Sequence, residues 1–240
     1  MSDVLSHLDE QREVWDEKPL IRALYGHYHR LMLERCTPGS IVEIGAGCGT
    51  LKQAHPDVIS LDIVASRWVD LVADAQLLPF TTNSIDNLVM LDVLHHIPRP
   101  LAFLAECQRV LQRRGRVIFL EPGISSLSRW FYHYFHPEPV DLTVDVASGQ
   151  TTSSDAPFDS NQAVPTLLLE TDTSALQGLV LAEQQWLAPC SYAMSGGFRA
   201  WQLYPQALLA PLLKLEQLLP RWLLRHTGFR LLGVLEKRGH

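Results

Sequence analysis

The run Ile41-Val42-Glu43-Ile44-Gly45-Ala46-Gly47-Cys48-Gly49 constrains the fold of this chain more than any other feature. A short apolar stretch containing one acidic residue passes into a turn with three glycines in five positions. Glycine adopts backbone angles that other residues avoid and lets a ligand come close to the main chain. A strand leading through such a turn into a helix is the nucleotide-binding corner of a doubly wound α/β sheet.

Hydrophobic periodicity sets further elements around this corner. Ala23, Leu24, Leu31, Met32 and Leu33 recur at helical spacing and predict a helix over about Val4–Cys36, ended by Thr37-Pro38-Gly39. Strands are predicted at Ser40–Ile44, Val58–Ile63, Val69–Val72, Ile85–Leu91, Arg116–Leu120, Leu179–Trp186 and Phe229–Glu236. A short helix follows Gly49 and ends near Pro56, and another covers Pro98–Leu111. Arg113-Arg114-Gly115 is expected to turn the chain into the fifth strand. The fold class that follows is α/β: a Rossmann-like doubly wound sheet of about seven strands, mostly parallel with an antiparallel last strand, with helices on both faces. Right-handed crossovers put the strand carboxyl ends along one edge, where Gly45 to Gly49, Asp62, Asp74, Asp92 and Glu121 all fall.

A chain of 240 residues, 47% hydrophobic, suits one domain with a sizeable core. Within it we expect an N-terminal helical cap (1–37), a cofactor-binding core (38–122), a substrate-side loop with strand six (123–188), a leucine-rich helical insertion (189–227) and the last strand (228–240). Residues 147–160, rich in Ser, Thr, Asp and Gly, are expected to form a loop. The net charge of -6 argues against a nucleic-acid partner, which basic side chains would have to hold by its phosphates. The four cysteines have no zinc-finger or redox spacing, and Met1–Trp15 lacks the apolar core of a secretory signal, so a cytoplasmic setting is expected. No apolar stretch is long enough to span a bilayer.

The glycines read G-x-G-x-G, and Thr50 stands where the dinucleotide fingerprint needs its third glycine. Asp62 follows about 20 residues after the motif starts, where a carboxylate can accept from both hydroxyls of a ribose. These residues point to a nucleoside ligand without requiring a pyrophosphate.

Four blocks in order extend this reading. They are Glu43 to Gly49; Asp62; Asp74-Ala75-Gln76-Leu77-Leu78-Pro79-Phe80; and Ser84-Ile85-Asp86 through Leu91-Asp92-Val93-Leu94-His95-His96. With Arg109-Val110-Leu111 and Gly115-Arg116-Val117, the stretch of roughly residues 38–122 resembles the class I S-adenosylmethionine-dependent methyltransferases, in their methyltransferase type 11-like small-molecule branch. The resemblance implies S-adenosylmethionine as cofactor and S-adenosylhomocysteine as its product. It implies that Glu43, Gly45, Ala46, Gly47 and Gly49 face the methionine portion and ribose, with Asp62 and Ile63 at the ribose. Asp74, Ala75 and Gln76 would flank adenine, and Leu91 and Asp92 would stand at the mouth of the methyl-transfer site. The compressed segment between Gly49 and Val58 departs from the family pattern by shortening the first helix.

Methyl transfer is an in-line displacement that depends on alignment, with a general base for some acceptors. His95 and His96, just after strand four, are the candidates for that role. Tyr25 and Tyr28 on the N-terminal helix, and His133, His136 and Glu138 beyond strand five, are candidate acceptor contacts. The last three have no familiar metal-ligand spacing and sit beside Pro137 and Pro139, so no metal is expected. Leucines fill 208–224 beyond one helical stripe, with Lys214, Arg221 and Arg225 among them. Such a segment can pack on the core, pair with a second subunit, or rest on a membrane or lipid tail. The acceptor is therefore read as a small or lipid-like molecule. Two alternatives stay open at this point: an NAD(P)-dependent oxidoreductase on a similar sheet, and a non-catalytic cofactor-binding homologue.

Overall fold

The computed structural model describes residues 2–135, 139–146, 151, 159–170 and 176–239. Seven strands form one sheet: β1 (Ile41–Ile44), β2 (Ile59–Asp62), β3 (Leu71–Val72), β4 (Ile85–Leu91), β5 (Leu111–Pro122), β6 (Leu179–Leu187) and β7 (Arg230–Lys237). Their order is β3-β2-β1-β4-β5-β7-β6. The first five pair in parallel, while β7 runs antiparallel to both β5 and β6. Strand order reverses beside β1, between β1 and β4, and that switch point is where open α/β sheets bind ligands.

Side chains alternate across the sheet and build a layer on each face. Leu88, Met90, Val117, Phe119, Leu231 and Leu235 join one core with Phe103, Leu104 and Cys107 of α4 (Pro100–Val110). Val89, Ile118, Leu120, Leu232 and Val234 join the other, against α1 (Ser2–Glu17) and α2 (Pro19–Leu33). Burial on both faces explains the apolar runs Leu88–Leu91 of β4 and Val117–Leu120 of β5.

Three local expectations are corrected. The N-terminal helix is two helices, because Pro19 forces extended angles on Lys18 (φ -108°, ψ 91°) and then starts α2 at its favoured first position. The turn Arg113-Arg114-Gly115 lies inside β5: Ile85 pairs with Leu111 and Asn87 with Arg116, so the extra residues bulge out while Arg114 takes φ 62°. The leucine-rich insertion is broken into α7 (Ser191–Ser195), α8 (Leu209–Gln217) and α9 (Arg221–Thr227), with Pro220 as the N-cap of α9. The remaining helices are α3 (Thr50–Ala54), which is as short as expected, α5 (Ser126–Phe135) and α6 (Val164–Glu170). Of 147–160, only Thr151, Asp159 and Ser160 lie within the described residues.

Candidate active site

The turn after β1 is shaped by two glycines. Gly45 and Gly47 take φ 69° and 51°, in the left-handed region where a Cβ is strained. A Cβ on Gly45 would lie 2.4 Å from Val93 Cγ2. A Cβ on Gly47 would meet only Leu8 Cδ2, at 3.8 Å, so the space above that residue is open. Asp62, at the end of β2, holds the turn. Its Oδ2 accepts from Gly47 N and its Oδ1 from Val64 N, both at 2.8 Å.

Glu43 shares this corner. It is 5% exposed, and its Oε2 has no hydrogen-bond partner. Burial, reinforced by the neighbouring Asp62 charge, pushes its carboxyl up to about 8. On the opposite flank, Asp74 Oδ1 accepts from the backbone N of Gln76 at 2.8 Å, and Gln76 Oε1 accepts from Arg99 Nε at 3.0 Å. The following segment is pinned to α4. Arg109 donates to the carbonyls of Phe80 (2.8 Å) and Leu78 (3.0 Å), and Leu78 N donates to Glu106 at 3.0 Å. Helix α1 lies across the turn: Arg12 donates to the Cys48 carbonyl at 3.1 Å and Trp15 Nε1 to Gln53 Oε1 at 2.9 Å.

A second set of groups stands beyond β4 and β5. Glu121 is fully buried and organises the 3₁₀ turn Leu94–His96. Its Oε1 accepts from Val93 N (2.7 Å) and Leu94 N (2.9 Å), and its Oε2 lies 2.6 Å from His95 Nδ1. A carboxylate on one ring nitrogen fixes the imidazole and leaves proton exchange with a ligand to Nε2. His96 is more open, with Nδ1 3.2 Å from the Asp159 carbonyl. Asp92, at φ 60°, accepts from the Tyr25 hydroxyl at 3.1 Å and pairs with Arg230 at 2.6 Å. Arg230 is completely buried, with its guanidinium 5.4 Å from the Tyr28 ring centroid and 4.8 Å from that of Tyr192. Burial, then the Asp92 charge, raises the Tyr25 hydroxyl well above its usual range, so it stays a proton donor.

Lys18, at the break between α1 and α2, closes a third side. Its ammonium donates to the carbonyls of Ser195 (2.7 Å), Gly197 (2.9 Å), Arg199 (2.7 Å) and Trp201 (2.9 Å). One buried lysine thus ties the loop after α7 to the N-terminal cap.

The segments these groups position enclose one cavity of about 910 Å³, at the upper end of the range for ligand pockets. Glu43, Gly45, Ala46, Gly47, Asp62, Ile63, Asp74, Ala75, Gln76, Leu91, Asp92, His95, His96 and Tyr25 all line it. Three sequence candidates stand elsewhere. Gly49 caps α3 at φ 72°, with Trp68 2.8 Å from where its Cβ would be, and does not reach the cavity lining. Tyr28 is buried one turn away against Arg230, because α2 turns that face onto the sheet. His133 is exposed on α5, and its neighbours Phe131 and Tyr132 face the cavity instead. His136 and Glu138 lie outside the described residues.

The sequence reading missed Leu8 and Gln11 on α1, His29 on α2, and the loop Gly196–Trp201, all of which line the cavity. It also missed Arg230. A lone arginine opening an apolar strand was the available signal, since a buried charge needs a partner. Lys18 before Pro19 gave none.

Residues 25–119 match the family model described as "Methyltransferase domain". No curated protein matches the sequence. Among solved structures, a methyltransferase from Thermotoga maritima described as a possible histamine N-methyltransferase is 16% identical. That match covers 99% of this chain and 100% of the other, with a TM-score of 0.58. An S-adenosylmethionine-dependent methyltransferase from Archaeoglobus fulgidus is 13% identical over 90% of this chain and 94% of its own, with a TM-score of 0.55. A geranyl diphosphate C-methyltransferase from Streptomyces coelicolor, solved with Mg²⁺, geranyl diphosphate and S-adenosylhomocysteine, is 14% identical. It covers 90% of this chain and 81% of its own, with a TM-score of 0.55.

Proposed function

We propose that this chain, a class I S-adenosylmethionine-dependent methyltransferase by its domain at residues 25–119 and its sheet, methylates a hydroxyl of a small apolar or lipid-linked acceptor. One observation carries the reading: the glycine turn with its two carboxylates lines the same cavity as His95, which Glu121 holds from behind. When bound, S-adenosylmethionine supplies an electrophilic methyl group on a sulfonium.

The residues present fit that ligand. The space over Gly47 is open, Glu43 Oε2 is buried without a partner, and each Asp62 oxygen keeps acceptor capacity beyond its backbone bond. Asp62 and Glu43 would hold the ribose and cationic end, and Asp74 to Gln76 the base. Leu8 of α1 lines the cavity above Gly47. On the acceptor side, Phe131, Tyr132, Tyr192 and Phe198 supply aromatic walls. His95 Nε2 takes the acceptor proton, and Glu121 steadies the resulting imidazolium through Nδ1. The oxygen so activated would stand toward the methyl group that the cofactor would supply, with the cofactor's sulfur leaving as a thioether. The chain contributes alignment and proton removal, which suffices for such a displacement.

The test is S-adenosylhomocysteine formation from S-adenosylmethionine over a panel of apolar phenols and alcohols. His95→Asn should lower kcat by about 10²- to 10⁴-fold with the S-adenosylhomocysteine Kd unchanged. Unaltered kcat would remove His95 from the chemistry.

A further inference from the structure

Helix α8 is apolar on both sides. Its inward side is satisfied, with Leu209 buried and Leu212 and Leu213 packed against the core layer beside α2. On the outward side, Leu208, Leu215 and Leu218 recur at helical spacing and are 52%, 59% and 80% exposed. Trp222 follows at the start of α9 and is 67% exposed. Large apolar side chains this close together on a surface mark an interaction site.

Charge identifies the partner. Residues 189–227 hold four Lys and Arg against one acidic residue, Glu216, in a chain of net charge -6. Glu216 is buried and accepts from Cys190 N, Ser191 N and the Ser191 hydroxyl, so this stretch shows no carboxylate to solvent. Lys214 and Arg221 are exposed beside the leucines and Trp222. Apolar anchors, an interfacial tryptophan and flanking cations suit the headgroup region of an anionic bilayer. A two-fold dimer through the same face would set two basic patches against each other.

We propose that the outer face of α8 and the turn into α9 dock on an anionic lipid bilayer, with Leu215, Leu218 and Trp222 inserted and Lys214 and Arg221 over lipid phosphates. Among the described residues no helix is long and apolar enough to cross a membrane, so the contact is peripheral. The same insertion also supplies part of the cavity wall through Gly196, Gly197, Phe198, Arg199 and Trp201. Docking of this kind does not depend on the chemistry proposed above.

The experiment is flotation of the full chain with vesicles of about 70% phosphatidylcholine and 30% phosphatidylglycerol, against pure phosphatidylcholine vesicles. S-adenosylhomocysteine affinity and thermal melting are measured on the same samples. The expected result is at least about 10-fold preference for the anionic vesicles, reversed by roughly 0.5 M salt. Leu218→Asp with Trp222→Ser, and separately Lys214→Glu with Arg221→Glu, should each cut vesicle binding at least about 10-fold while melting and S-adenosylhomocysteine affinity stay at wild-type values. No flotation of the wild type overturns the proposal, as does full binding by both variants. So does self-association that Leu218→Asp abolishes without any vesicle binding. Vesicle binding without S-adenosylhomocysteine binding would refute the methyl-transfer reading and leave the docking intact.

Discussion

Asparagine at position 92 keeps the shape of Asp92 and removes its charge, which strands Arg230. The guanidinium is 0% exposed and lies 2.6 Å from the Asp92 carboxylate, whose side chain is 27% exposed. Its Nη2 donates to the Leu120 carbonyl at 3.3 Å, while Nε and Nη1 have no hydrogen-bond partner, so Nη1 meets Asp92 as an ion contact without hydrogen-bond geometry. Removing one member of a buried pair costs about 3–5 kcal/mol, mostly because the remaining charge stays buried. Asp92 is partly open to the cavity, so the lower end applies and Asp92→Asn should cost about 3 kcal/mol. In a domain of this size that is a fall of about 6–12 °C in Tm. Arg230→Met should cost less, about 1–2 kcal/mol, because the carboxylate left behind faces a cavity that water can enter. The double variant should be more stable than the sum of the single effects by at least about 1.5 kcal/mol. Urea unfolding of the four proteins at pH 7 closes this cycle. A cost for Asp92→Asn below about 0.5 kcal/mol, or strict additivity, would refute the argument.

The other predictions concern the glycine-turn side of the cavity and the loop after α7. The folded state raises the Glu43 carboxyl to about 8, so it favours the neutral form. That stability is fully present below the ordinary carboxylate range and is lost as pH rises through about 8. Between pH 5 and 9 the wild type should therefore lose about 3–5 kcal/mol relative to Glu43→Gln, and a difference of the opposite sign contradicts the assignment. Lys18→Met leaves four carbonyls without their donor and should cost about 2–4 kcal/mol. It should also speed hydrogen exchange at Met194–Leu203, and unchanged protection there would count against the tether. Asp62→Ala removes the Gly47 anchor along with the proposed ribose contact, and should weaken S-adenosylhomocysteine binding by about 10- to 100-fold in calorimetry. Gly47→Val should weaken it further by filling the open space above that residue.

The glycine-turn side of the cavity was readable from the sequence because it is local. Strand, glycine turn and acidic strand end are set by neighbours a few residues apart, and the parallel sheet brings their ends to one edge. The count of seven strands and an antiparallel last strand were expected and are found, while the strand order β3-β2-β1-β4-β5-β7-β6 comes from the structure. The opposite side of the cavity depends on contacts across the chain. Lys18 meets Ser195 to Trp201, Arg230 meets Asp92, and Tyr192 stacks on Arg230, each separated by tens or hundreds of residues. No periodicity encodes such pairs. Tyr28 shows the limit on a single helix: it lies three residues after Tyr25, yet that rotation takes it from the cavity into the packing around Arg230. The division of 189–227 into short helices was likewise hidden by its uniform leucine content, although Pro205, Pro211 and Pro220 were there to be read.

The most direct test is calorimetric titration of the wild-type protein with S-adenosylmethionine, S-adenosylhomocysteine and NAD in parallel. An open glycine turn backed by Glu43 and Asp62 predicts binding of the first two in the micromolar range and none of the third. Binding of NAD without S-adenosylhomocysteine would contradict the assignment of this cavity.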